Sequence, residues 1–127
     1  MSNILIVDDS PTMRRMVAAS LRGLPAACFG EAATGLEAIE RVALGPVDLI
    51  ILDLNMPDMH GLEVLDFLRS HQAYRELPVI VLTTRGDETS RTDALAAGAN
   101  LYLTKPFAPQ ALAEQARALL GSHREGA

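Results

Sequence analysis

Leu49-Ile50-Ile51-Leu52-Asp53 is the stretch that decides the fold. Four apolar residues with no polar alternate among them suit a strand covered on both faces, as at the centre of a parallel sheet flanked by helices. The run stops at an acid. Working outward, Val79-Ile80-Val81-Leu82 repeats the pattern and stops at Thr83-Thr84, and Ile4-Leu5-Ile6-Val7 stops at Asp8-Asp9. Two weaker runs, around Ala27-Cys28-Phe29 and at Leu101-Tyr102-Leu103, bring the number of strands to five.

Helical patterns separate the runs. Ser10 and Pro11 supply an N-cap and a first helical position, and Met13, Met16, Val17, Leu21 and Leu24 follow on one face until Gly23 and Pro25 break it. Thr34 and Glu37 have capping-box spacing for a second helix with Leu36, Ile39, Val42 and Ala43 inward, ended by Gly45-Pro46. The loop Asn55-Met56-Pro57-Asp58-Met59-His60-Gly61 leads into a third with Leu62, Leu65 and Leu68. A fourth, from about Glu88 to Ala97, has only Leu95 and several alanines to bury and is expected to be the most loosely held. The fifth begins at Pro109 and turns Leu112, Ala116, Leu119 and Leu120 inward. Five strand-then-helix units joined by right-handed crossovers predict an α/β fold, a doubly wound five-stranded parallel sheet with five helices, occupying residues 1–121. Residues 122–127 are expected to be a frayed tail.

The bulk composition agrees with one domain. The chain has 127 residues, 49% apolar and 21% charged, enough for a packed core and far from a disordered composition. A net charge of −5 argues against a nucleic-acid surface. The lone Cys28 cannot form an internal disulfide and is expected in the core. No apolar run approaches a membrane span and Met1-Ser2-Asn3 lacks the basic start of a signal peptide, so a cytoplasmic location is expected. Met56 and Met59 suit loop packing, and His60, His71 and His123 lack ligand spacing.

In a doubly wound sheet, ligands bind beyond the carboxyl ends of the strands. Asp8, Asp9, Asp53, Thr83 and Lys105 all sit there. In a 2-1-3-4-5 strand order, strands one and three are neighbours and three carboxylates converge. Two like charges about 5 Å apart repel by roughly 3 kcal/mol at an effective dielectric of 20, so the cluster calls for a divalent cation. Oxygen-only ligands at an open cleft favour Mg²⁺. A carboxylate beside that ion can attack phosphorus and become an acyl phosphate, with Lys105 and the Thr83 hydroxyl facing the phosphoryl oxygens. Residue physics alone does not choose among the three acids.

Ile4 to Arg15, Asp53 to Gly61, Val81 to Thr83 and Lys105-Pro106-Phe107 resemble the response-regulator receiver family at each signature position, over essentially the whole chain. The stretches Asp8–Val17 and Asp53–Leu62 resemble its chemotaxis members in particular. That resemblance implies the flavodoxin-like order 2-1-3-4-5 and Asp53 as phosphoacceptor. It also implies Mg²⁺ bound by Asp9, Asp53 and the Asn55 carbonyl, with Asp8 acting through water. Lys105, Thr83 and Thr84 would lie against the phosphoryl group, the Lys105-Pro106 bond would be cis, and Thr83 with Tyr102 would form the switch. Thr84 departs from the smaller residue usual in the family and adds bulk at the mouth of the site, where Arg85 adds a cation.

The function so implied is a single-domain response regulator of a two-component system or phosphorelay. It would not be an enzyme beyond catalysing its own phosphorylation and dephosphorylation. Its implied partners are a sensor histidine kinase or His-phosphotransfer domain, a downstream protein at the face of helix four, strand five and helix five, and a phosphatase. Because the chain ends after helix five, output by protein binding from a monomer is expected, in chemotaxis or motility. A phosphorelay shuttle or phosphate sink is the alternative. A flavodoxin-type flavin module would need a Ser/Thr/Gly-rich loop where Asp8-Asp9 stands, and a phosphohydrolase would need a substrate pocket for which no segment is evident.

Overall fold

Because each central strand is apolar on both faces, the sheet accepts helices on both sides. In the computed structural model, which describes residues 2–126 and the side chains of residues 2–121, strand and helix alternate. They run β1 (Ser2–Val7), α1 (Pro11–Leu21), β2 (Ala27–Ala32), α2 (Gly35–Leu44), β3 (Leu49–Leu52), α3 (Gly61–Ser70), β4 (Val79–Thr83), α4 (Glu88–Ala96), β5 (Leu101–Thr104) and α5 (Pro109–Gly126). A single 3₁₀ turn at Gln72–Tyr74, not anticipated from the periodicity, precedes β4. All neighbouring strands are parallel, in the order β2-β1-β3-β4-β5. The 2-1-3-4-5 doubly wound fold is therefore the fold of this chain.

Strand parity divides the interior. Leu5, Val7, Ile50, Leu52, Val79, Val81 and Tyr102 pack with Ala38 and Val42 of α2, Val64, Leu65 and Leu68 of α3, and Ala94 of α4. Ile4, Ile6, Leu49, Ile51, Ile80 and Leu82 pack with Val17 and Leu21 of α1 and Leu112, Ala116 and Leu120 of α5. Each fully buried Leu or Ile contributes roughly 1.5–3 kcal/mol, which fixes the strand register and hence the position of every strand end.

Several expectations need correction. Cys28 is exposed rather than core. It lies on the edge strand β2, lining a groove of about 410 Å³ with Arg41 and Leu44 near the C-terminal end of α2. Helix α2 buries Gly35, Ala38 and Val42, so Leu36, 55% exposed, and Ala43 face outward. The rotation follows from its first turn, where Gly35 sits directly against Met59. Met16 is half exposed because the stripe that α1 buries runs through Val17 and Leu21. On α4 the residue facing inward is Ala94, not Leu95, and Tyr102 of the adjacent strand shares its cluster. Helix α5 is continuous through Gly126, across most of the expected tail. Ala127 lies outside the described residues, and the His123 side chain outside the described side chains.

Candidate functional site

The carboxyl ends of β1 and β3 lie side by side, with Val7 paired to Leu52. Asp8 and Asp53 are therefore adjacent, each one residue past a buried strand, and both are buried themselves. The Asp53 amide donates to the Val7 carbonyl at 3.0 Å, extending the ladder by one rung. Asp9 is exposed at the mouth. One carboxylate oxygen from each of Asp8, Asp9 and Asp53 falls within 4.8 Å of the others.

The surrounding groups fix this cluster. Lys105, carried in from the end of β5, places its Nζ 2.6 Å from Asp8 Oδ2 and 3.4 Å from Asp53 Oδ2. Asp8 Oδ1 accepts from the Ser10 amide at 2.9 Å, and Ser10 in turn caps α1 by accepting from Met13 N. The Asp8 carbonyl oxygen accepts from Arg14 at 2.7 Å, and Arg14 also pairs with Glu31 at 2.7 Å. Asp53 Oδ1 accepts from the Asn55 amide at 3.3 Å. Gly61 closes the base of the β3–α3 loop through a 2.9 Å bond from its amide to the Leu54 carbonyl. Any Cβ there would lie 2.8 Å from the Asp53 carbonyl oxygen.

The electrostatic balance favours a divalent cation at the cluster. Burial pushes the Asp53 carboxyl above the ordinary carboxylate value; Lys105 opposes that shift, Asp8 adds to it, and the Asn55 amide and Thr83 hydroxyl pull it back. Three carboxylates face one ammonium, and the buried acid remains short of compensation. The donor set is all oxygen, partly buried and open at Asp9, which suits a hard divalent ion that retains water. The residues present thus fit Mg²⁺, with Asp8, Asp9 and Asp53 as the side chains able to hold it.

The remaining predicted residues fall around this cluster. Thr83 is fully buried, and its Oγ1 accepts from the Arg85 amide at 3.4 Å. Thr84 is exposed beside it. Tyr102 is buried, and its hydroxyl donates to the Arg85 carbonyl oxygen, tying β5 to the β4–α4 loop. Lys105-Pro106 is cis. Met56 and Met59 pack against the core, as expected for loop residues. His60, unassigned from its spacing, caps α3 by accepting from the Leu62 amide at 3.1 Å. Asp58 went unmarked in the sequence although its two oxygens accept from the Gly35 and Leu36 amides. The sole signal for it would have been an acid in a turn, because its partners lie more than twenty residues away.

Comparison with known proteins bears on this geometry. The family model described as response regulator receiver domain matches residues 4–117. The chemotaxis protein CheY1 of Helicobacter pylori is 40% identical over 121 residues, covering 94% of this chain and 98% of the relative. The structure of the chemotaxis response regulator CheY4 of Vibrio cholerae superimposes with a TM-score of 0.85 at 34% identity, over 94% of this chain and 98% of that one. A CheY-like receiver domain protein from Methanospirillum hungatei reaches a TM-score of 0.89 at 26% identity, over 100% and 99%.

Proposed function

The chain belongs to the response-regulator receiver family, and from that premise we propose that it is a phosphorylation switch that accepts a phosphoryl group on Asp53 in a Mg²⁺-dependent reaction. The observation that carries this is the convergence of Asp8, Asp9 and Asp53 from two strand ends, with Lys105 reaching in from a third. The donor is a phosphohistidine on a sensor histidine kinase or His-phosphotransfer domain. An Asp53 carboxylate oxygen attacks the phosphorus, the P–N bond breaks as the P–O bond forms, and the imidazole leaves and takes up a proton. Mg²⁺, when bound, neutralises charge between the carboxylates and the transferred group. Lys105 and Thr83 face the same oxygens, and release occurs when water attacks the acyl phosphate and inorganic phosphate departs. The chain catalyses only these two steps on itself.

Output follows from the Thr83 side. A phosphoryl group on Asp53 draws the Thr83 hydroxyl toward it, which disturbs the Arg85 segment that the Tyr102 hydroxyl holds. The face made by α4, β5 and α5 then changes its affinity for a protein partner. The likeness to chemotaxis proteins over nearly their full length favours a cytoplasmic role in chemotaxis or motility.

Incubation with acetyl phosphate and Mg²⁺, followed by peptide mass spectrometry, tests this. One phosphoryl group is expected on the peptide containing Asp53, and none on the Asp53→Asn variant. Stoichiometric label on that variant would refute the assignment.

A further inference from the structure

The β3–α3 loop carries Asn55, and with Asp9 it lines one cleft of about 550 Å³. The base of the loop is closed by the Gly61–Leu54 bond. Its tip is held differently, by another element. Asp58 Oδ1 accepts from the Gly35 amide at 2.9 Å and Oδ2 accepts from the Leu36 amide at 3.0 Å, so one loop carboxylate satisfies the first two amides of α2. The next amide of the helix, Glu37, is served locally by Thr34 Oγ1 at 3.1 Å. Beside the tie, a Cβ on Gly35 would lie 2.8 Å from Met59 Cβ, so loop and helix are in direct contact. The Leu36 and Gly35 amides also hold the Asp58 carboxyl below the ordinary carboxylate range.

We propose that Asp58 is a positioning residue for the cation: by fastening the loop tip to the N-terminus of α2, it holds the Asn55 segment beside Asp9 and Asp53. The proposal rests on the Mg²⁺-dependent function above. Asp58 is not one of the clustered carboxylates; it fixes the segment whose Asn55 amide donates to Asp53 Oδ1. Metal affinity thereby depends on a helix cap belonging to a different element, and α2 is mechanically joined to the acidic cleft.

The test compares two caps on one helix end. Thr34→Ala removes a local cap and leaves the loop untouched, whereas Asp58→Ala frees the loop tip. Mg²⁺ titrations of the isotope-labelled full chain, followed by amide chemical shifts, give an affinity for each variant, and thermal melts give stability. Asp58→Ala is expected to weaken Mg²⁺ binding by about tenfold, as for groups that orient a metal's ligands. Thr34→Ala should lower Tm and leave the affinity unchanged. Asp58→Asn keeps one acceptor oxygen and should fall between wild type and Asp58→Ala, which also covers the case in which Asp58→Ala fails to fold. The deficit should persist at high salt, and labelling of Asp53 in Asp58→Ala should recover at saturating Mg²⁺.

Wild-type affinity in both Asp58 variants would overturn the proposal. So would equal weakening in Thr34→Ala, or a deficit abolished by salt, which would mark Asp58 as a mere contributor to the field. A wild-type chain that binds no Mg²⁺ would instead sink the function on which the proposal rests, and that failure is visible before any variant is made.

Discussion

Helices α3 and α4 flank the same half of the sheet and are held very differently. Helix α3 buries Gly61, Val64, Leu65 and Leu68, and its start is pinned against the backbone of Asp53 and Leu54. Helix α4 buries only Ala94, and its Leu95 is 39% exposed. The acidic side of the site therefore stands on packed hydrophobic surface. The side carrying Thr83 and Tyr102 adjoins a helix that little apolar burial restrains. Under the proposed function, a site that binds an ion in fixed geometry and then transmits a shape change would benefit from that asymmetry, because displacement concentrates where local stability is lowest.

The strongest challenge to this contrast is truncation on the two helices. Leu65→Ala should cost about 2–5 kcal/mol by urea denaturation, while Leu95→Ala should cost under about 1 kcal/mol. Equal losses would erase the distinction. Hydrogen exchange sharpens it: α4 amides should exchange at far lower opening free energy than those of α3, and uniform protection would contradict it.

A smaller effect concerns charge on the rigid side. Burial raises the Asp53 carboxyl above its value in the unfolded chain, so the native state holds that proton more tightly. The associated stabilisation is fully present below about pH 3.9, the ordinary Asp value, and is lost as pH rises through the higher native value. Ionised Asp53 thus costs stability at neutral pH. Without metal, Asp53→Asn should melt a few degrees above wild type at neutral pH, and the advantage should vanish in acid. An unchanged difference across that range would show that the strain does not come from Asp53 ionisation.

Largest in consequence for signalling is Lys105→Ala. It should keep or improve Mg²⁺ affinity by removing a competing cation from Asp8, yet uncouple labelling of Asp53 from partner binding. A variant that binds its partner normally after labelling would contradict this.

Much of this was legible in the sequence for a physical reason. Central strands apolar on both faces suit a helix-covered parallel sheet, and the polar residues that follow β1, β3, β4 and β5 then lie along its carboxyl edge. Ser10 and Thr34 were readable as caps because their partners lie three residues away. What escaped depended on distant or rotational packing. The outward turn of Leu36 depends on Met59 touching Gly35, and the exposure of Cys28 on a groove at the sheet edge. Arg69, whose guanidinium donates locally to the Tyr74 carbonyl and at long range to the Gly98 carbonyl and Asn100 Oδ1, ties α3 to the segment after α4 across about thirty residues. No periodicity encodes such a bond. The choice of Asp53 among three acids came from family resemblance, and burial does not make it, since Asp8 is buried as deeply.

Titration of the metal-free protein with Mg²⁺, followed amide by amide, is the most direct test of whether the three carboxylates share one cation. A single saturable event with the largest shifts at Asp8, Asp9, Asp53 and Asn55, lost in Asp53→Asn, is the predicted result. Shifts scattered over the acidic surface without saturation would contradict it.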